Sequence, residues 1–234
     1  MLEQKIQLTD ASKNNYYYEE AIKTLRTNLQ FSGKNNKAIL ITSTVPGEGK
    51  SDISFHLAAE LGKAGKKVLL IDADIRKSVY ITRYQIDQQV YGLSQYLSGQ
   101  IDKLDQFLCR TNYENLHIIL AGPVAPNPSE MLGDSAFGDL IRATRKVYDY
   151  VLIDTPPINS VIDAAVVGQH CDGALLVVES GGVSYREVQR AKAQMEKSGC
   201  RVLGVVLNKM DIHSGPYYRS YYRENGYYGT GTED

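Results

Sequence analysis

Short apolar runs and segments of helical periodicity alternate along the central part of the chain. Six runs predict strands, at residues 38–42, 67–71, 116–121, 150–153, 174–178 and 202–207, and the segments between them predict helices at 50–64, 134–147, 160–170 and 184–197. Several strands are apolar at nearly every position, as expected where helices cover both faces of a sheet. The alternation predicts an α/β domain with a mainly parallel central sheet flanked by helices.

Two segments around this core have patterns of their own. Residues 17–31 predict a further helix, and we assign residues 1–33 to an N-terminal helical arm. Residues 122–129 carry three of the seven prolines and predict a stiff loop without helix. The apolar residues at helical spacing in the arm are Ala21, Ile22, Leu25 and Leu29.

The composition changes abruptly after Asn208. No aliphatic residue follows Ile212, and Gly, Ser, Arg and Asn surround a cluster of tyrosines. Such a stretch has little aliphatic surface to bury, so residues 212–234 are predicted to form a flexible tail behind a core domain at 34–211. The tyrosines of this tail are Tyr217, Tyr218, Tyr221, Tyr222, Tyr227 and Tyr228.

Composition limits the classes of protein to which the chain can belong. Its 234 residues suit one domain, and 43% hydrophobic with 23% charged residues is ordinary for a globular protein. A net charge of −1 gives no electrostatic reason to expect nucleic acid as a partner. Cys109, Cys171 and Cys200 are too widely spaced for a zinc site or a disulfide framework, which favours a reducing cytosol. Neither a secretory signal nor an apolar run of roughly 20 residues that would span a bilayer is expected.

A glycine-rich loop follows the first predicted core strand and leads into a predicted helix. It reads Ser43-Thr44-Val45-Pro46-Gly47-Glu48-Gly49-Lys50-Ser51, a P-loop with Thr44 in place of the usual first glycine. In such a loop the backbone N–H groups surround phosphate oxygens, the lysine reaches the β and γ phosphates, and the hydroxyl binds Mg²⁺. The loop residues predicted to contact nucleotide are Pro46, Gly47, Glu48, Gly49, Lys50 and Ser51.

Asp52 stands where P-loops often carry a second hydroxyl group. Its carboxylate cannot donate a hydrogen bond to phosphate at pH 7. It therefore either stabilises the N-terminus of the helix or contacts a water bound to Mg²⁺, and we include it among the residues of the nucleotide site.

Carboxylates also follow two other predicted strands. Asp72 and Asp74 end the second core strand, and Asp154 ends an apolar strand that has the form of a Walker B motif. Parallel strands end together at the edge of an open α/β sheet where nucleotides bind. The predicted ligands of Mg²⁺ at this edge are Ser51, Asp74 and Asp154.

The last predicted strand ends in Asn208-Lys209-Met210-Asp211, which is similar to the guanine-binding motif of GTPases. A strand ending in Asn-Lys also borders the adenine pocket in ATP-binding relatives. We favour the second interpretation and predict that Asn208 contacts the nucleotide.

The motifs, taken in order, resemble those of the bacterial tyrosine kinases of capsule and exopolysaccharide assembly. The resemblance rests on the P-loop, on Leu70-Ile71-Asp72-Ala73-Asp74-Ile75-Arg76, on Leu152-Ile153-Asp154-Thr155-Pro156-Pro157, on Asn127-Pro128-Ser129-Glu130 and on the terminal tyrosine cluster. It implies the P-loop NTPase fold of the cytoplasmic catalytic domain with ATP and Mg²⁺ as cofactors. It also places Arg76 among the expected nucleotide-binding residues.

The same resemblance implies an activity and a set of partners. Members of the family autophosphorylate their tail tyrosines on a neighbouring subunit of a ring-like homo-oligomer. The cytoplasmic tail of a transmembrane modulator of the polysaccharide co-polymerase type activates them, which implies recruitment to the inner face of the plasma membrane. A cognate tyrosine phosphatase is a further expected partner.

The N-terminal helix of this family carries Glu-x-x-Arg-x-x-Arg for subunit contact. Here the motif reads Glu20, Lys23 and Arg26, so a lysine replaces the first arginine and loses its planar, bidentate fork. A packed cap on the core is the alternative role for this helix, and the two roles are compatible.

Phosphotransfer to tyrosine needs a proton acceptor, because a free phenol has a pKa near 10. We nominate Asp72 as this base, although the sequence does not separate it from Asp74. Asp74 and Asp154 are then expected on the magnesium side, and Lys50 is expected to neutralise charge. The predicted catalytic residues are Lys50, Asp72, Asp74 and Asp154.

Two other functions are compatible with a P-loop. A MinD- or ParA-like ATPase acts through nucleotide-dependent dimerisation, but those relatives carry lysine where this chain has Val45. A scaffold that only binds nucleotide would not need the lysine and the three acids together. For the tail, a tyrosine-rich binding segment without phosphorylation is the alternative.

Overall fold

One sheet of eight strands with helices on both faces organises the protein, as a computed structural model describes it for residues 4–10 and 16–210. The strands are β1 (Gln4–Lys5), β2 (Ala38–Ser43), β3 (Val68–Asp72), β4 (Cys109–Arg110), β5 (Leu116–Ile119), β6 (Tyr150–Asp154), β7 (Gly173–Glu179) and β8 (Val202–Asn208). The helices are α1 (Tyr16–Phe31), α2 (Lys50–Lys63), α3 (Tyr80–Arg83), α4 (Leu93–Leu97), α5 (Pro128–Gly133), α6 (Ser135–Thr144), α7 (Asp163–Gly168) and α8 (Tyr185–Lys197), with a 3₁₀ turn at Leu104–Gln106.

The strand order is β1-β4-β5-β3-β6-β2-β7-β8, and every pair except β4 with β5 is parallel. This confirms the predicted α/β fold, and each of the six predicted strands lies within two residues of its observed bounds. The sequence analysis missed β1 and β4, because two residues are too few to show a hydrophobic period. The order puts β3, β6 and β2 side by side at the centre, so the polar residues at their carboxyl ends meet.

Alternating residues of the central strands divide the core into two apolar layers. Leu40, Leu69 and Ile153 face the layer formed with α4 to α8. Ile39 and Leu70 face the other layer, which α1, α2 and α3 cover. Burial on both faces explains why these strands are apolar throughout.

The N-terminal segment is joined to the core more closely than the boundary predicted at residue 33 implies. β1 extends the sheet by pairing with β4, and Ile6 and Leu8 are buried. The buried face of α1, with Ile22 and Leu29, packs into the same apolar layer as α2. The segment therefore completes one face of the domain, in agreement with the packed cap that the sequence left open.

The loop predicted at 122–129 is shorter than expected. Helix α5 begins at Pro128, so the prediction of no helix was wrong for the last two residues of that range. A proline is tolerated in the first helical turn because its missing N–H would have no partner there. Among the helices of the described residues, none has the length and apolarity needed to cross a bilayer. The predicted tail at 212–234, with its six tyrosines, and the predicted boundary at residue 211 lie outside the described residues.

Candidate active site

The predicted P-loop connects the end of β2 to the start of α2 at the centre of the sheet edge. Gly47 and Gly49 both have φ of 89°, a left-handed conformation that side chains with a Cβ rarely adopt. A Cβ on Gly49 would also lie 2.3 Å from Nδ2 of Asn208. Glycine is required at residue 49 for both reasons, and the loop can curve tightly enough to direct its amides at one point.

The carboxylate of Glu48 stabilises this curve from inside. It is buried and accepts hydrogen bonds from the Thr44 amide (2.6 Å), the Thr44 hydroxyl (2.6 Å), the Val45 amide (2.8 Å) and the Glu179 amide (3.1 Å). Both of its oxygens are therefore used by the protein. The Glu48 side chain therefore holds the loop, and the predicted contact of residue 48 with nucleotide stays a prediction for its backbone N–H.

Asn208 fixes the P-loop from the neighbouring part of the sheet. Its Nδ2 donates a hydrogen bond to the backbone carbonyl of Glu48 at 2.9 Å. Because β8 pairs with β7 and β7 pairs with β2, the strand end that carries Asn208 is held beside the loop. The structure therefore brings Asn208 to the P-loop, where its amide nitrogen is bonded to the loop itself, and the contact of Asn208 with nucleotide stays a prediction.

The predicted lysine and acids lie together at the strand ends. Asp72 and Asp154 are directly paired in the register of β3 and β6. The ammonium nitrogen of Lys50 lies 3.4 Å from Oδ2 of Asp74, 3.6 Å from Oδ2 of Asp154 and 3.0 Å from Oγ of Ser51. One cation thus contacts all three predicted magnesium ligands.

Burial makes these ionisable groups interact strongly. Burial, followed by the negative charge of Asp154, raises the pKa of Asp72 to about 8. Burial likewise raises the pKa of Asp154, against the opposing effect of Lys50. Burial alone would lower the pKa of Lys50, but the carboxylates of Asp154, Asp74 and Asp72 together raise it, so the ammonium stays charged. The cluster holds more negative than positive charge in a region of low dielectric and is suited to receive a further cation.

The oxygen donors present fit Mg²⁺. Oδ2 of Asp154 is buried and has no hydrogen-bond partner among the described residues, although such atoms are normally satisfied. In the described part of the chain no three His, Cys, Asp or Glu side chains are arranged to enclose a metal ion by themselves. Mg²⁺ does not need such a cage, because it is usually bound by one or two carboxylates, waters and substrate phosphates. Ser51, Asp74 and Asp154 are therefore an adequate protein contribution.

The two acids that follow β3 differ in access. Asp72 is fully buried, and its oxygens accept hydrogen bonds from the Ser78 hydroxyl and the Asp74 amide. Asp74 is also buried, with 8% exposure, but it lines a cavity, and its Oδ1 accepts a hydrogen bond from the Lys77 amide at 3.0 Å. Of the two acids between which the sequence does not choose a base, Asp74 lines this cavity and Asp72 does not.

We name this cavity the charged cavity. It has a volume of about 440 Å³ and lies between the P-loop, the segment after β3 and the loop after β6. Its charged and polar lining is Lys50, Ser51, Asp74, Arg76, Lys77, Arg83 and Ser160, and its apolar lining is Pro46, Val79, Pro156, Pro157 and Val161. Cations outnumber acids there, which suits a site for phosphates.

A second cavity, the α1 cavity, lies on the other side of the same glycines. It has a volume of about 510 Å³ and is lined by Tyr17, Tyr18, Ala21, Gly47, Gly49, Asp52, Arg83, Leu207, Asn208, Lys209 and Met210. Helix α1, the P-loop and the end of β8 form its walls. Aromatic and aliphatic groups are present here beside the phosphate-binding loop, as a nucleotide base or a partner's apolar side chain would need.

Asp52 takes a role that neither sequence interpretation included. Its carboxylate accepts a hydrogen bond from the Tyr18 hydroxyl at 2.7 Å and pairs with Arg83. Its place in the first turn of α2 agrees with stabilisation of the helix, but its oxygens are bonded to α1 and α3 and not directed at the acidic cluster. Asp52 therefore attaches α1 and α3 to the helix that carries the P-loop lysine.

Arg76 has protein partners that the sequence did not indicate. Its Nε and Nη2 donate to the two carboxylate oxygens of Asp163 at 2.7 and 2.9 Å, and Nη2 also donates to the Ser129 hydroxyl at 2.9 Å. The predicted nucleotide ligand is thus held by protein partners while it lines the charged cavity. Sequence analysis did not single out Asp163, and the sequence around it has no feature that distinguishes this acid from a surface residue.

The helix motif predicted for subunit contact is divided between two environments. Glu20 and Lys23 form an exposed ion pair with each other at 2.7 Å. Arg26 instead pairs with Glu60 of α2 at 2.9 Å. Arg26 therefore supports the alternative of a packed cap, and Glu20 with Lys23 remain available on the surface. The tyrosines predicted as phosphorylation sites lie outside the described residues.

Comparison with known proteins agrees with this geometry. A family model described as an AAA domain matches residues 36–197. The tyrosine-protein kinase CpsD of Streptococcus pneumoniae serotype 4 is 45% identical over 199 residues, which cover 85% of this chain and 87% of the relative. The tyrosine-protein kinase wzc of Salmonella typhimurium is 37% identical over 89% of this chain, but the match covers only 28% of that longer relative.

Solved structures separate the kinase prediction from its alternative. The kinase domain of the Escherichia coli tyrosine kinase ETK superposes with a TM-score of 0.77 at 34% identity, over 83% of this chain and 78% of that chain. MinD from Pyrococcus horikoshii, in complex with Mg-ADP, is more distant, with a TM-score of 0.65 at 24% identity over 79% of this chain and 76% of that chain, and shows the common fold alone. The tyrosine kinase prediction is therefore favoured over the MinD-like one. The chain belongs to the bacterial tyrosine kinase family.

Proposed function

We propose that this kinase transfers the γ-phosphoryl group of ATP to tyrosines of its own C-terminal segment, on a neighbouring copy of the chain. The observation that carries the proposal is the contact of Lys50 with Ser51, Asp74 and Asp154 beside the glycine-rich loop. A lysine, a hydroxyl and two acids at the open edge of the sheet are the groups that phosphoryl transfer uses. Positioning and charge neutralisation then supply most of the rate.

Each residue of the site has a separate task in this proposal. The P-loop amides and Lys50 bind the phosphates, and Lys50 neutralises the charge that develops on the transferred group. Ser51, Asp74 and Asp154 would hold Mg²⁺, which when bound would neutralise further charge on the phosphates. Asp74 accepts the phenolic proton as the tyrosine oxygen forms its bond to phosphorus and the bond from phosphorus to ADP breaks. Asp72 stays behind the site and holds the Asp74 amide.

The acceptor tyrosines we propose are Tyr217, Tyr218, Tyr221, Tyr222, Tyr227 and Tyr228. They begin within ten residues of Asn208, which is at the P-loop, so the segment that carries them leaves the domain close to the site. Glu20 and Lys23 are proposed to contact the neighbouring copy in a ring-like assembly, because they are exposed on α1. Arg26 contributes to that surface only indirectly, through its bond to α2.

The cellular setting of the proposal follows the family resemblance. We propose that the cytoplasmic tail of a transmembrane modulator activates the kinase at the inner face of the plasma membrane and that capsule or exopolysaccharide synthesis is the regulated process. The match to a minor part of the longer wzc chain supports a kinase region that works together with further protein segments. A tyrosine phosphatase would reverse the modification.

The proposal is tested by incubating the purified full chain with Mg-ATP and mapping phosphotyrosine by mass spectrometry. We expect phosphate on the tyrosines between residues 217 and 228 in the wild type and none in Lys50→Met. Lys192→Met is the matched control, since Lys192 pairs with Glu196 on the exposed face of α8, and it should retain phosphorylation. Mixing Lys50→Met with wild type should label the inactive chain if transfer occurs between copies. ATP hydrolysis without any phosphotyrosine would contradict the proposal.

A further inference from the structure

Three segments around the charged cavity meet at one buried carboxylate that lies outside the acidic cluster. Asp163, the first residue of α7, is fully buried. Besides Arg76, it accepts a hydrogen bond from the Ser129 hydroxyl of α5 at 2.7 Å. The segment after β3 is thereby joined to α5 and α7. A backbone hydrogen bond from Ala125 to the carbonyl of Ile75, at 3.0 Å, connects the same segments.

The hydrogen bonds to Asp163 and Ser129 use only part of the Arg76 guanidinium. Nε and Nη2 of Arg76 face Asp163 and Ser129, whereas Nη1 takes part in none of these bonds. Arg76 lines the charged cavity together with Lys50 and Asp74, and 36% of its side chain is exposed. A guanidinium is planar with five donors, so fixing one edge fixes the direction of the others.

We propose that Asp163, with Ser129, is a positioning residue of the kinase reaction: it holds Arg76 so that the free edge of the guanidinium is directed at the phosphoryl group being transferred. This inference rests on the proposed function and deepens it. Asp163 itself touches neither reacting group. Its effect on the rate passes through Arg76.

The entropy cost of ordering Arg76 favours a positioning role for Asp163 over a role in stability alone. An arginine side chain loses much rotational freedom when it is ordered, and that cost is already met before substrate binds if protein bonds hold the guanidinium. Donors ordered in advance stabilise developing charge without reorganisation during the reaction. A link made only for stability would not need ions, because well-packed apolar residues stabilise a buried contact equally well or better. The bidentate pair at the cavity wall is therefore explained by the direction that it imposes.

A double-mutant cycle tests whether Asp163 acts through Arg76. We would measure kcat and KM for ATP in Arg76→Ala, Asp163→Asn and the double variant, with phosphotyrosine formation as the signal. Asp163→Asn should lower kcat by on the order of tenfold or more, because small misplacements of a charge-stabilising group are costly. The double variant should be no slower than Arg76→Ala alone. If the two losses multiply, Asp163 acts independently of Arg76 and the inference is overturned.

A second measurement needs no nucleotide and no activity. Amide hydrogen exchange of residues 75–78 in the nucleotide-free protein should be faster in Asp163→Asn and, to a smaller degree, in Ser129→Ala. Unchanged exchange in both variants would also overturn the inference. If Asp163→Asn does not fold, the cycle is repeated with Ser129→Ala, which removes one hydroxyl and leaves the ion pair.

The matched control is an ion pair of the same composition at the opposite end of the strands. Arg145 pairs with Asp172, which accepts the amides of Lys37 and Ala38 where β2 begins. Arg145→Ala should lower the melting temperature while kcat stays within about twofold, as expected for a link that does not act on the site. A wild type without phosphotransfer would refute the proposed function. If the wild type is active and the losses of kcat in Arg76→Ala and Asp163→Asn multiply in the double variant, only the role of Asp163 is refuted.

Discussion

The two cavities on either side of the P-loop share Gly47, Gly49 and Arg83 but differ in how they are built. The charged cavity is bounded by the ends of central strands, and its polar groups are bonded to one another. The α1 cavity is bounded by a surface helix and an edge strand, and Leu207 and Met210 in its wall are 50% and 46% exposed. One loop therefore separates a site ordered in advance from one whose walls depend on a few side-chain contacts.

This difference has an energetic consequence. Asp72, Asp74 and Asp154 lie close to a single lysine, Lys50, behind the charged cavity, so this cluster stores electrostatic repulsion that a bound cation can relieve. The α1 cavity is held by hydrogen bonds such as those of Tyr18 to Asp52 and Asn208 to Glu48. Changes at the charged cavity should alter the reaction rate most, whereas changes at the α1 cavity should alter stability and nucleotide affinity by smaller amounts.

The largest effect is expected for Asp74→Asn. The amide retains the shape of the side chain but cannot accept the phenolic proton, and general-base catalysis is typically worth 10²–10⁴-fold, so a loss on the order of 10³-fold in the initial rate of phosphotyrosine formation is expected. Asp102→Asn, an exposed acid, is the control and should keep the wild-type rate. A rate within tenfold of wild type would exclude Asp74 as the base.

Asp72→Asn should separate stability from activity. The pKa of Asp72 is raised to about 8 in the folded protein, above its value near 3.9 in the unfolded chain, so the folded state holds the proton longer. The unfolding free energy of the wild type should then fall as pH rises from about 4 to about 8. The asparagine has no such proton to lose. Denaturant unfolding of the nucleotide-free protein at pH 8 should show the variant more stable by a few kcal/mol.

This prediction is contradicted if the unfolding free energies of the wild type and of Asp72→Asn change with pH in the same way. At pH 4 the Asp72 carboxyl of the folded wild type is protonated and is therefore neutral, like the asparagine amide. The unfolding free energies of the two proteins should then differ little. The variant is also expected to lose activity, because the asparagine NH₂ group would face a donor, either the Asp74 amide or the Ser78 hydroxyl. A gain of stability with a loss of activity would show that repulsion is part of the site.

Glu48→Gln tests the loop that both cavities share. The glutamine brings a donor to a place where Thr44, Val45 and Glu179 already present N–H groups. A buried donor without an acceptor costs about 1–3 kcal/mol, and the unfolding free energy should fall by that amount. The affinity for ADP, measured by calorimetry, should fall as well. Glu114→Gln, at an exposed position, should change neither quantity, and a loss of the same size there would remove the explanation.

The smallest effect is expected for Tyr18→Phe at the α1 cavity. The change removes the hydroxyl that donates to Asp52 and keeps the ring in contact with His56. One hydrogen bond of this kind contributes about 1 kcal/mol, so thermal unfolding should begin a few degrees earlier while kcat stays within about twofold. Tyr91→Phe serves as the exposed control. A large drop in kcat would show that the α1 cavity controls the chemistry, and the distinction between the cavities would be lost.

The sequence places best those site residues that directly follow a predicted strand. The P-loop and the acids at residues 72, 74 and 154 follow apolar strands directly, so their position at the sheet edge follows from local pattern. The sequence does not predict the separate roles of these acids. Asp72 and Asp74 are two residues apart in one motif, and what distinguishes them is that Asp74 alone lines the charged cavity.

Other contacts of the site were missed because the residues that make them are distant along the chain. Asp163 is 87 residues from Arg76, Glu48 bonds to the amide of Glu179, and Tyr18 bonds to Asp52. No periodicity or spacing connects such pairs. Arg76 was expected to bind nucleotide because it stands in a motif, but the motif does not show which protein groups already occupy its donors.

The sequence by itself determined the α/β fold, the nucleotide-binding loop and the chemical class of the site, since strand periods and motif residues are local properties of the chain. Only the tertiary structure decided which acid is accessible, which charges are buried and what holds Arg76, Glu48 and α1 in place. These depend on contacts between segments whose approach is set by strand order and by the packing of two apolar layers. Burial and dielectric are properties of that packing, so they exist only once the chain has folded.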